Sequence, residues 1–101
     1  MRTAFITMES GDRALQFVDE IPFDTIRNFL ADEFRSHELR LLESPDQIWL
    51  DVVTSNNAKL TLHWDIFAGL ILIARNSLAE GAIESFAQLI ACRGRKGGVT
   101  L

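Results

Sequence analysis

Asp51, His63 and Asp65 are the residues whose types and spacing could do chemistry. They sit in two stretches of alternating polar and apolar residues that a hairpin would lay side by side. A carboxylate beside an imidazole orients the ring, raises its pKa and can support general acid–base work. Such work also needs a nucleophile or a pocket. Thr61 is the nearest hydroxyl, and nothing nearby would activate it. The simpler reading of the three residues is a cross-strand ion pair on a solvated sheet, worth about 0.2–1 kcal/mol.

Other chemistries have less behind them. His63 and Asp65 could donate two metal ligands from one strand face, but a zinc site needs three or four. His37, the second of two histidines, precedes a different strand. Gly94, Gly97 and Gly98 follow a helix instead of opening one, the wrong end for cradling a phosphate. The chain has neither a Gly-x-Ser-x-Gly nor a Cys-x-x-Cys motif, and it contains no tyrosine. The expectation is a protein that works without a cofactor or metal and without catalysis.

These residues must be positioned by strands and helices. Thr3 to Met8 is β-branched and aromatic and reads as a strand. Glu9 to Asp12 is turn chemistry, and Ala14 to Val18 returns as a second strand, with a helical turn as the rival reading. A helix runs from about Asp24, its expected cap, to Arg35, with Ile26, Phe29, Leu30 and Phe34 on one stripe. Glu38 to Leu42 is a short strand, and Glu43-Ser44-Pro45-Asp46 a turn. Ile48–Thr54, Lys59–Asp65 and Leu70–Arg75 are strands. The last is apolar on both faces, which suits cover on both sides. Ser77-Leu78-Ala79-Glu80 reads as a capping box that starts a second helix. Ala79, Ala82, Ile83, Phe86, Leu89 and Ile90 line one face of that helix, and Gly94 is a natural stop. The fold class expected is α+β: an antiparallel sheet of about four to six strands with two amphipathic helices packed on one face.

The central hairpin has a register that keeps apolar and polar faces apart. A three-residue loop, Asn56-Asn57-Ala58, pairs Ser55 with Lys59, Asp51 with His63 and Trp49 with Asp65. Asn57 suits the left-handed backbone such a loop needs. Ile48, Leu50, Val52, Leu60, Leu62 and Trp64 then face the core. The opposite face carries Trp49, Asp51, Val53, Thr61, His63 and Asp65, joined by Ile71 or its neighbours. A large aromatic among aliphatics on an uncovered sheet face marks an interaction surface; the competing reading is a hairpin or loop folded over it. Trp49, Val53, Asp51, His63, Asp65 and Ile71 are therefore the expected partner-binding residues.

Composition sets the bounds. A chain of 101 residues, 48% hydrophobic, supports one domain with its own core and excludes intrinsic disorder. One cysteine, Cys92, excludes a disulfide scaffold and reads as a small hydrophobe. The domain spans residues 1–92, where seven basic residues face all fourteen acids. That charge repels phosphate backbones and argues against nucleic-acid binding by the folded body. Residues 93–101 read as a basic, Gly-rich flexible tail. The apolar stretch Ala4-Phe5-Ile6 is too short for a signal-peptide core. The run from Ile66 to Ala74 is about half a membrane span, so no membrane association and a cytoplasmic location are expected.

In size, acidity and architecture the chain resembles small bacterial immunity and adaptor proteins. That resemblance rests on no motif and carries over no residue. The exposed sheet face leads to the expectation of a non-enzymatic protein–protein interaction domain, adaptor- or immunity-like, that binds itself as a homodimer or another, basic protein. The alternative is a small enzyme or ligand-binding domain that uses His63 with Asp51 and Asp65. Edge-to-edge assembly of the sheet is a third route.

Overall fold

The computed structural model describes the backbone of residues 1–99 and the side chains of residues 1–92. In chain order the elements are β1 (Thr3–Thr7), β2 (Arg13–Phe17), α1 (Phe23–Phe34), β3 (His37–Glu43), β4 (Gln47–Val53), β5 (Lys59–Asp65), β6 (Gly69–Ala74) and α2 (Ser77–Val99). The strands form one six-stranded sheet in the order β1-β2-β6-β5-β4-β3. Every pairing is antiparallel. The class is α+β, and the second strand forms at Arg13–Phe17 in place of a helical turn.

Alternation along the strands sorts side chains into two clusters. The larger joins Leu15, Leu50, Leu62 and Leu72 of the strands with Ile26 and Leu30 of α1 and Ile83 and Phe86 of α2. Phe86 is its aromatic hub. Its ring meets Phe17 and Phe29 edge-on, with centroids 5.9 and 4.9 Å away, and stacks on Phe34 at 5.7 Å. The smaller cluster holds Ala14, Ile71 and Ile73 with Ile6, Met8 and Trp49 against them, and among the described residues no helix side chain joins it.

Both helix starts differ from the expected caps. Pro22 takes the N-cap position of α1 and makes no side-chain cap bond. Pro suits a helix entrance because its fixed φ fits there and the N–H it lacks would have no partner. Asp24 therefore lies inside the first turn, where its charge favours the helix dipole. In α2 the cap is Asn76 and not Ser77. Its Oδ1 accepts the Ala79 N–H at 2.9 Å and the Lys59 N–H at 3.2 Å, and its Nδ2 donates to the Asn57 carbonyl. One amide thus caps the helix and ties it to the β4–β5 loop. Leu89, expected on the buried stripe, is exposed, as is Cys92. α2 runs past Gly94, the expected stop. The side chains of residues 93–101, expected to form a basic flexible tail, lie outside the described residues.

The β4–β5 loop has three residues, as expected, but starts one residue earlier. Thr54 and Ala58 close it through the Thr54 N–H to Ala58 carbonyl bond, 2.9 Å, and the loop is Ser55-Asn56-Asn57. The Thr54 hydroxyl accepts the Ala58 N–H and donates to the Asn56 side chain. Asn57 takes the left-handed conformation at φ 70°. Ala58 is fully buried in the larger cluster, so it belongs to the core and not to the loop. The pairing register consequently moves by two residues.

Candidate functional site

Three corrected pairs define the site. Trp49 faces His63 in place of Asp65, Asp51 faces Thr61 in place of His63, and Asp65 faces Gln47. Bonded and unbonded pairs alternate along an antiparallel ladder, and side chains approach closest in the unbonded ones. The Thr54–Ala58 bond fixes the phase. Counting back from it, Asp51–Thr61 and Trp49–His63 are both unbonded pairs. Their side chains behave accordingly. The Thr61 hydroxyl donates to Asp51 at 2.7 Å. The Trp49 and His63 rings stack with centroids 3.5 Å apart and planes within 10°.

Trp49 is oriented by its indole N–H, which donates to the Gln47 side chain at 3.0 Å. His63 beneath it is buried, and neither ring nitrogen has a hydrogen-bond partner. Burial pushes its pKa below the ordinary histidine value, Asp65 pulls it back up in part, and Arg75 lowers it further. Burial therefore favours the neutral imidazole. Asp65 is occupied elsewhere: its Oδ1 accepts the Phe67 and Ala68 N–H groups of the β5–β6 turn, which hold its carboxyl below the usual range. Neither Asp51 nor Asp65 hydrogen-bonds His63, because each carboxylate has a different partner.

A second polar chain runs along the same face. Arg75 donates from Nε to Thr61 at 3.0 Å and pairs with Asp12 at 3.0 Å. Thr61 is thus held between Asp51 and Arg75. Neither Arg75 nor Asp12 was expected here. Their meeting depends on β2 lying beside β6, a long-range pairing that local pattern does not encode.

The register places all six expected partner-binding residues on one face. His63 and Ile71 are buried beneath it, while Trp49, Asp51, Val53 and Asp65 are half-buried. One cross-strand row reads Leu42, Trp49, His63, Ile71, Gln16. Leu42, at 47% exposure, is the most open apolar member of that row. A separate depression of about 380 Å³ lies at the sheet end, walled by Val18, Ile21, Trp64, Ile66 and Phe67.

No protein-family model, curated protein or solved structure matches the chain.

Among the described residues no three His, Cys, Asp or Glu side chains come together to hold a metal ion. No described helix is long and apolar enough to cross a membrane.

Proposed function

We propose that the chain is a small non-enzymatic protein-binding module of the adaptor or immunity-protein kind. In this reading α1 and α2 lie together over the face of the larger cluster, and the partner occupies the opposite face. The observation that supports it is the smaller cluster, which packs Ile6, Met8 and Trp49 against Ile71 and Ile73 with no helix side chain among the described residues. Trp49 is the anchor, since a half-buried aromatic held by one hydrogen bond offers a large rigid contact at low entropic cost. Asp51, Val53 and Asp65 form the rim. The net charge of −4 favours a basic protein partner, with acids at the rim giving selectivity more than affinity. An acid–base role for His63 has less support, because its nitrogens are buried and both nearby carboxylates are bonded elsewhere.

The test is co-purification with the wild type beside Trp49→Asp and Val53→Glu, at low and high salt. A partner that wild type retains, that raised salt releases and that both folded variants lose supports the reading. A partner retained by both variants overturns it.

A further inference from the structure

The two edges of the sheet are β1 and β3. All seven residues of β3 are exposed, including Leu39, Leu41 and Leu42. Natural edge strands are usually blocked by proline, lysine, a bulge or a covering element. β3 has neither proline nor lysine, and its one irregularity lies at its start, between Glu38 and Arg40. The segment Arg40–Glu43 is a regular open edge.

The direction of its backbone groups follows from one bond. The Ser44 N–H donates to the Gln47 carbonyl at 2.9 Å. By ladder alternation Leu42 and Arg40 also bond to β4, whereas Leu41 and Glu43 turn their N–H and C=O groups outward. These outward groups suit another strand, and we propose that its source is β3 of a second copy of this chain. A two-fold axis perpendicular to the sheet keeps like faces together, so it pairs residues of the same parity. Centring it on Arg40 or on Glu43 puts like charges opposite each other. Centring it on Leu41 takes its second bonded pair from Leu39, at the irregularity. Centring it on Leu42 leaves Leu41 opposite Glu43 of the other copy, twice, and Arg40 opposite Ser44, twice. Every outward group of the regular segment is then bonded, and no like charges meet.

The resulting assembly is a continuous twelve-stranded sheet, twice the six strands of one chain. Leu42 meets its own copy at the centre in an unbonded pair. Because Leu42 stands beside Trp49 in its own chain, the two apolar rows fuse into one stripe across the axis. This edge pairing is independent of the partner-binding reading, which concerns the sheet face.

The experiment combines light scattering with single-cysteine cross-linking in a Cys92→Ser background. A mass twice 11.4 kDa is expected for the parent. Leu42→Cys should form a disulfide-linked dimer, since Cα atoms of an unbonded antiparallel pair lie close enough for a bridge. Arg40→Cys alone should not cross-link, but mixed with Ser44→Cys it should. The Leu41 and Glu43 amides should exchange more slowly as protein concentration rises. A parent that stays monomeric at high concentration overturns the proposal. So does a dimer in which Leu42→Cys fails to cross-link and those two amides stay unprotected. A dimer abolished by Trp49→Asp but unaffected by Leu41→Pro would place the contact on the face instead. Proline at position 41 removes only an outward N–H, so the strand keeps its bonds to β4.

Discussion

Trp49 lies flat on His63, with the ring centroids 3.5 Å apart, and covers an imidazole that bonds to nothing. Burial of this ring should make folding sensitive to pH. The unfolded chain protonates this histidine near its ordinary value of about 6.5, whereas the folded chain resists protonation because the ring is buried. The unfolded state therefore binds more protons as pH falls. Stability from this residue is fully present above the unfolded pKa and declines as pH drops below it, until the folded pKa is passed. Urea titrations at pH 7.5 and pH 5.5 should show the loss, set against His63→Phe, which keeps a stacked ring and cannot titrate. The variant should flatten the dependence over that interval and gain about 1 kcal/mol at neutral pH, because two unpaired buried nitrogens disappear. An unchanged slope would show that His63 does not carry it.

Asn76 carries three hydrogen bonds that join the start of α2 to the β4–β5 loop. Asn76→Ala should cost about 1–2 kcal/mol by denaturant melting, toward the upper end for caps because the loop tie is lost as well. Ser77→Ala, one residue on, should change stability by less than about 0.5 kcal/mol. Equal losses at the two positions would return the cap to the expected capping box.

Two glycines should respond in opposite directions. Gly69 closes the β5–β6 turn at φ 78°, and a Cβ there would meet no atom within 4 Å. Gly69→Ala should therefore destabilise through backbone strain alone, by about 1 kcal/mol. Gly81 lies within α2 and is also open. Gly81→Ala should stabilise by roughly 0.5–1 kcal/mol. Thermal melts of the two variants side by side give the comparison.

Phe86 is buried and touches the rings of Phe17, Phe29 and Phe34. Phe86→Leu should cost about 1–2 kcal/mol and Phe86→Ala about 3–5 kcal/mol, because the cavity would open between α1, α2 and β2. A cost below about 1 kcal/mol for the alanine variant would mean that the three rings collapse into the space.

Much of this arrangement was legible in the residues, and the failures share one cause. Alternation in Ile48–Val53 and Lys59–Asp65 assigned every side chain to its observed face. A slip of two residues leaves all faces unchanged, so the hydrophobic pattern could not detect it. The deciding facts were the Thr54 hydroxyl at the loop and the burial of Ala58, both products of tertiary packing. That small slip dismantled the expected Asp51–His63 contact and put Trp49 in its place. In the same way Ser77 carried the sequence signature of a cap, but the neighbouring amide won because it could also reach Lys59 and Asn57. Arg75 and Asp12 meet only because β2 lies beside β6, and no local signal predicts that pairing.

The strand order has a kinetic consequence. β3, β4, β5 and β6 follow one another through short turns, and each pairs with its chain neighbour. The same holds for β1 and β2. Only the β2–β6 seam joins distant segments, bringing Ala14 opposite Ile73. Closing that long loop costs more entropy than closing the local hairpins. The two halves of the sheet are thus separate folding neighbourhoods. Their junction is therefore the part of the sheet expected to form last.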